Sequence, residues 1–92
     1  MEVLILNRAP GKLRGEVTRW MLEVDEGVYV ARLSSTVRER LWEMVCAAAR
    51  PRTLALMVYS CDSDQGYAVK LRGKPGRALV DFDGLTLVRT PE

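Results

Sequence analysis

Apolar residues recur along this chain in two different periods. Val3, Leu4, Ile5 and Leu6 form an unbroken run within residues 1–6, which predicts a strand buried on both faces and therefore central in its sheet. Pro10 and Gly11 then break the chain. Leu13, Val17, Trp20, Met21 and Val24 follow at the spacing of one helical stripe, predicting a helix over 12–23 with Trp20 in the core. Gly27 punctuates, and the β-rich stretch 28–33 predicts a second strand. Ser35 or Thr36 can cap a second helix over 38–50, in which Val37, Leu41, Met44, Val45 and Ala48 repeat the first stripe position for position. Trp42 lies off that stripe, and packing is its simplest role. Pro51 stops the helix, because its ring and missing N–H cannot continue the ladder.

Residues 53–59 are strongly apolar, Asp62, Ser63, Asp64, Gln65 and Gly66 supply turn chemistry, and 67–72 alternates, so this stretch predicts a hairpin. A last β-like segment spans 79–88 and is interrupted by the turn dipeptide Asp83-Gly84. The order β-α-β-α-β-β predicts an α+β, ferredoxin-like sandwich with two helices on one face of an antiparallel sheet. The chain reads as a single domain over 1–92, with a core at 1–77 and a strand extension at 78–92. The second strand is too short for the hairpin that a regular ferredoxin-like fold places between its helices, which leaves two alternatives: it bends into two short strands, or one is lost. The strands carry more apolar surface than two helices cover, which predicts a homodimer through the sheet.

Composition removes several kinds of chemistry. The chain has no histidine, so a histidine general base, a catalytic triad built on one and a histidine metal site are all excluded. Cys46 and Cys61 form no C-x-x-C pair, and packing is the expected role of both. An acidic Glu2 stands where a signal peptide is basic, and no apolar run is long enough to cross a bilayer, so a cytoplasmic location without a membrane partner is expected. Asp62 with Asp64 and Asp81 with Asp83 are spaced to share a strand face, yet both pairs lie in turn-forming sequence, and local hydrogen bonding explains them more simply than a metal does.

The net charge of +2 decides little, but its distribution is informative. Arg8, Lys12 and Arg14 cluster without an acid, as do Lys70, Arg72, Lys74 and Arg77. Arginine outnumbers lysine 11 to 3, and a guanidinium fork suits phosphate oxygens. Glycine and proline in both stretches let the backbone approach a ligand. The expected mode is phosphate-backbone binding without base readout.

Several spaced motifs then occur in one order: Leu13-Arg14-Gly15, WMLEV at 20–24, Gly27-Val28-Tyr29-Val30, Val37-Arg38-Glu39, Leu41-Trp42-Glu43 and Val80-Asp81-Phe82-Asp83-Gly84-Leu85. Together they span nearly the whole chain, and the sequence resembles the Cas-two proteins of type I-E CRISPR systems. The resemblance implies a ferredoxin-like homodimer that joins two dimers of the Cas-one integrase, bridges the middle of a short double-stranded DNA and supports its insertion into the CRISPR array as a new spacer. Lys12, Arg14 and Arg77 match the family's phosphate contacts, and Arg8 and Lys74 are grouped with them as DNA-binding candidates. The segment 78–89 resembles the family's extended C-terminus. On that basis Leu79, Val80, Asp81, Phe82, Asp83, Leu85 and Leu87 are assigned to an integrase or dimer interface formed by strand addition.

Two positions depart from the family pattern. Many relatives carry an acidic residue at the end of strand one that is proposed to hold a divalent metal, and this chain has Asn7 there, followed by Arg8. An amide offers no formal charge to a cation or a proton. The adaptor role requires no cofactor, whereas a metal-dependent endonuclease acting on RNA or DNA phosphodiesters, the first alternative, would use Mg²⁺. Gly76 stands where relatives carry a second arginine beside the one matched by Arg77. The second alternative is a small regulatory ferredoxin-like module that binds a ligand or RNA, for which Tyr29, Tyr59, Tyr67 and Phe82 are the available strand aromatics.

Overall fold

The computed structural model describes residues 1–62 and 64–73, and the following account is confined to them. The apolar run after Met1 forms β1, Glu2–Asn7. Two further strands pair with it antiparallel, β3 (Val28–Ala31) on one side and β4 (Leu54–Ser60) on the other. The sheet is completed by β2 (Leu22–Asp25) beside β3 and by β5 (Tyr67–Arg72) beside β4, giving the order β2-β3-β1-β4-β5. Helices α1 (Gly11–Val17) and α2 (Ser35–Ala48) connect the strands. The result is the expected α+β, ferredoxin-like arrangement with a central β1.

One face of the sheet meets the helices. Leu4, Leu6, Tyr29, Ala55 and Met57 alternate inward from β1, β3 and β4 and pack with Leu13 and Val17 of α1, Met21, and Leu41 and Val45 of α2. Trp42 is half-buried and packs against this cluster. The opposite face holds Val3, Ile5, Val28, Val30, Leu56, Val58, Val69 and Leu71 by the strand alternation and the register. This corrects the expectation that β1 is buried on both faces. The described helices pack on one side only, and among the described residues Ile5 is 38% exposed while Leu4 is fully buried.

The longer predicted first helix is also corrected. Trp20 and Met21 both donate their N–H to the Val17 carbonyl, at 2.9 and 3.0 Å, and Thr18 Oγ1 donates to the Gly15 carbonyl at 2.6 Å. The last turn therefore tightens and the chain leaves the helix axis. Trp20 consequently lies in the connection, 51% exposed, and is not a core residue. Leu22 and Val24 alternate as strand residues of β2, and both are exposed. The hairpin thought too short is thus made partly from sequence assigned to the helix. Its turn is local chemistry: Glu26 N–H donates to Asp25 Oδ1 at 2.8 Å, Gly27 N–H donates to Glu23 Oε2 at 3.0 Å, and Gly27 adopts φ +76°.

Helix α2 starts earlier and ends earlier than expected. Its cap is Ser34, whose Oγ accepts the Val37 N–H at 3.2 Å, not Ser35 or Thr36. It ends at Ala48 because the residue before a proline, here Arg50, is disfavoured in helical conformation. A mixed polar seam ties this helix to the sheet. Buried Glu2 accepts the Leu33 N–H at 2.8 Å and lies 3.5 Å from the Arg38 guanidinium, which stacks on the Tyr59 ring at 3.9 Å. Glu39 pairs in turn with Arg38 at 3.3 Å and with Lys70 of β5 at 3.1 Å.

Lys70 foremost, with Arg38 adding to it, holds the Glu39 carboxyl below its ordinary pKa of 4.5. The stability it contributes is therefore full above that value and is lost as pH falls through the lower folded value. Urea titrations at decreasing pH should show Glu39→Gln reducing this acid-side loss and leaving the neutral-pH slope unchanged. A second outcome concerns Gly27, where a Cβ would lie 2.5 Å from the Leu6 carbonyl oxygen. Gly27→Ala should cost about 2 kcal/mol or more, whereas Gly15→Ala, in open space within α1, should raise stability by up to about 1 kcal/mol in the same denaturation assay.

Candidate nucleic-acid interface

At one end of the sheet the chain makes a corner around a buried threonine. Pro51 closes α2, and Thr53 N–H donates back to the Arg50 carbonyl at 2.9 Å. Thr53 Oγ1 accepts the Arg50 N–H and donates to the Arg8 carbonyl, both at 3.0 Å. This hydroxyl joins the β1–α1 loop to the α2–β4 turn. From β5, one nitrogen of the Arg72 guanidinium donates to the Arg50 and Thr53 carbonyls at 2.9 and 2.8 Å. Gly73 leaves the strand at φ +110°, where a Cβ would stand 2.5 Å from the Thr53 oxygen.

These contacts gather cations from three separate parts of the chain. Arg8, Arg52 and Arg72, with Pro51 and Gly73, line a depression of about 530 Å³, and Arg50 joins Arg8 and Arg52 in the one beside it. Among the described residues none of these four arginines lies within ion-pair distance of a carboxylate, unlike Arg14, Arg19, Arg38 and Lys70. Arg8 itself sits at φ +58°, a left-handed conformation that a non-glycine residue adopts at some cost and that clusters at functional sites.

The candidates Arg8, Lys12 and Arg14 are divided by this geometry. Arg8 and Arg14 share a cleft with Asn7, Glu26 and Gly27, whereas Lys12 projects to another side of α1 and shares a depression with Arg50. Arg14 lies 3.9 Å from Glu23. Its pKa is raised, first by the nearby Tyr29 phenol and then by Glu23 and Glu26. The buried Tyr29 hydroxyl makes no hydrogen bond of good geometry among the described residues. Lys74, Arg77, Leu79, Val80, Asp81, Phe82, Asp83, Leu85 and Leu87 lie outside the described residues, as do Gly76 and the strand expected over 79–88.

The end of β1 does not suit a divalent cation. Asn7 is neutral and Arg8 follows it, while Asp62 and Asp64 follow β4 at the opposite end of the sheet, since Asn7 pairs with Leu54 and Glu2 with Tyr59. Among the described residues no three of Asp, Glu, Cys and His come together. Burial foremost pushes the Cys46 thiol above its ordinary pKa, in keeping with a packing role. Of the strand aromatics that an RNA-binding sheet face would use, Tyr29 is in the core and Tyr59 lies beneath Arg38 on the helix side, Tyr67 is half-buried on the opposite face by the register of β4 and β5, and Phe82 lies outside the described residues. No described helix is long and apolar enough to cross a membrane.

Residues 1–87 match the family described as CRISPR-associated protein (Cas_Cas2CT1978). The chain belongs to this Cas-two family. Membership gives the protein a place in the CRISPR system, and it covers both the basic corner and the segment beyond Gly73.

No spacing in the sequence singles out Arg50 and Arg52, where Arg50 ends the predicted second helix and Pro51 stops it. Only the antiparallel register of β1 and β4 sets Arg8 against them. Thr53→Val removes the shared hydroxyl and strands the Arg8 carbonyl and the Arg50 N–H. A loss of about 1–3 kcal/mol is expected in urea denaturation, with Thr53→Ser retaining most of it.

Proposed function

We propose that this protein is the adaptor subunit of CRISPR spacer acquisition, of the type I-E kind: a homodimer that bridges two dimers of the Cas-one integrase and holds double-stranded DNA by its phosphate backbone. Family membership supports the assignment to the CRISPR system, and the grouping of Arg8 and Arg14 at the end of β1 carries the DNA-binding part of the reading. A guanidinium on a loop flanked by Pro10 and Gly11 meets phosphate oxygens without reading base edges.

The apolar sheet face supports the dimer. Val3, Ile5, Val28, Val30, Val58, Val69 and Leu71 form an apolar surface across four strands around the buried Leu56, with Ile5 and Leu71 its most exposed members at 38% and 41%. Burying such a surface against its own copy yields the self-complementary interface of a two-fold dimer, and it doubles every basic patch. Lys74 and Arg77 extend the DNA contacts on this reading, and the segment from Leu79 to Leu87 supplies the edge offered to the integrase. The role uses no bound metal, and the neutral Asn7 amide beside Arg8 is poorly suited to the Mg²⁺ chemistry of a nuclease.

Duplex binding measured over a series of salt concentrations tests the reading. Arg14→Ala should weaken binding and make the slope of log K against log salt shallower by about 0.9 for one lost phosphate contact. Unchanged affinity and slope would remove the DNA-binding role.

A further inference from the structure

The basic corner extends beyond the positions that the family resemblance marks. Arg50 and Arg52 are exposed on either side of Pro51, Arg8 stands opposite them across the β1–β4 pairing, and Arg72 is fixed between two main-chain carbonyls. Like charges held this close repel one another, and among the described residues no carboxylate offsets them. Unlike a set of solvated lysines, three of the four are held to the corner through their own groups. The Arg8 carbonyl and the Arg50 N–H are bonded by Thr53 Oγ1, and the Arg72 side chain is bonded at its guanidinium. An uncompensated group of arginines that lines a concave surface, with the Arg8 and Arg50 backbones and the Arg72 guanidinium held in place, suits a multiply charged oxyanion.

We infer that Arg50 and Arg52, with Arg8 and Arg72, form a second phosphate-binding notch that grips the DNA backbone beyond the Arg14 contact. The inference rests on the adaptor reading and adds to it a site at the α2–β4 turn. Continuity argues for DNA as the occupant: Arg8 borders both the notch and the cleft that holds Arg14, and Arg50 shares a depression with Lys12. A strand lying across Arg14 thus meets Arg8 next and Arg52 and Arg50 beyond it, and successive phosphates repeat along it in a way that a small anion does not.

The test compares full-length Arg50→Ala/Arg52→Ala with Arg14→Ala, using a short duplex and a salt series. Arg72 is left intact, because its loss would break both bonds to the Arg50 and Thr53 carbonyls of the α2–β4 turn. The double variant should bind about tenfold or more weakly at low salt, with the slope shallower by about 1.8 for two lost contacts. Arg50→Lys/Arg52→Lys keeps both charges and should restore the slope, and a slope that stays shallow there would overturn the notch by showing that the turn's shape, not its charge, was lost. Full binding by the double alanine variant while Arg14→Ala binds weakly would overturn the notch and leave the adaptor reading standing. Full binding by both would overturn the two together.

Discussion

A strand in the middle of a small sheet must find backbone partners on both sides, and β1 finds them in β3 and β4. On the β3 side the Leu6 N–H donates to the Gly27 carbonyl at 2.8 Å, an approach that leaves no room for a side chain on Gly27. On the β4 side the pairing runs the full length from Glu2 to Asn7. Two-sided pairing of an apolar strand places Leu4 and Leu6 beneath both helices, and it also fixes which loops share each end of the sheet. The core and the basic corner therefore depend on the same ladder.

At the corner, polar satisfaction and positive charge are arranged together. The Thr53 side chain is almost fully buried, and its hydroxyl serves the β1–α1 loop and the α2–β4 turn at once. Arg72 adds a third segment through two carbonyls of that turn. The hydrogen bonds that spare buried main-chain groups from desolvation thus also hold Arg8, Arg50 and Arg72 at one end of the molecule. At the other end, Glu2, Arg38, Glu39 and Lys70 alternate in sign and neutralise one another. The charge asymmetry seen along the sequence becomes an asymmetry between the two ends of one sheet.

Much of the fold was legible because its signals are local. The β1 run, the α2 stripe with its stop at Pro51, and the 54–72 hairpin follow from periodicity and turn residues over a few positions. The first helix misled because Trp20, Met21 and Val24 fit a helical stripe while Leu22 and Val24 fit a strand, and the competition was settled by pairing with β3. Trp20 accordingly left the core for the surface. Of the candidate site, Arg8, Lys12 and Arg14 were visible as an acid-free cluster. Arg50 and Arg52 were not, since a charge cluster assembled from residues 8, 50, 52 and 72 has no counterpart in sequence spacing.

The sequence by itself determined the element types, the absence of any histidine chemistry, the neutral Asn7 beside Arg8 after the first apolar run, and the family to which the chain belongs. These depend on residue identity and short-range spacing alone. The tertiary structure decided where the first helix ends, which sheet face is left apolar, and which arginines stand together. Those outcomes rest on antiparallel register between segments distant in the chain, and register is a property of the paired strands, not of either strand alone.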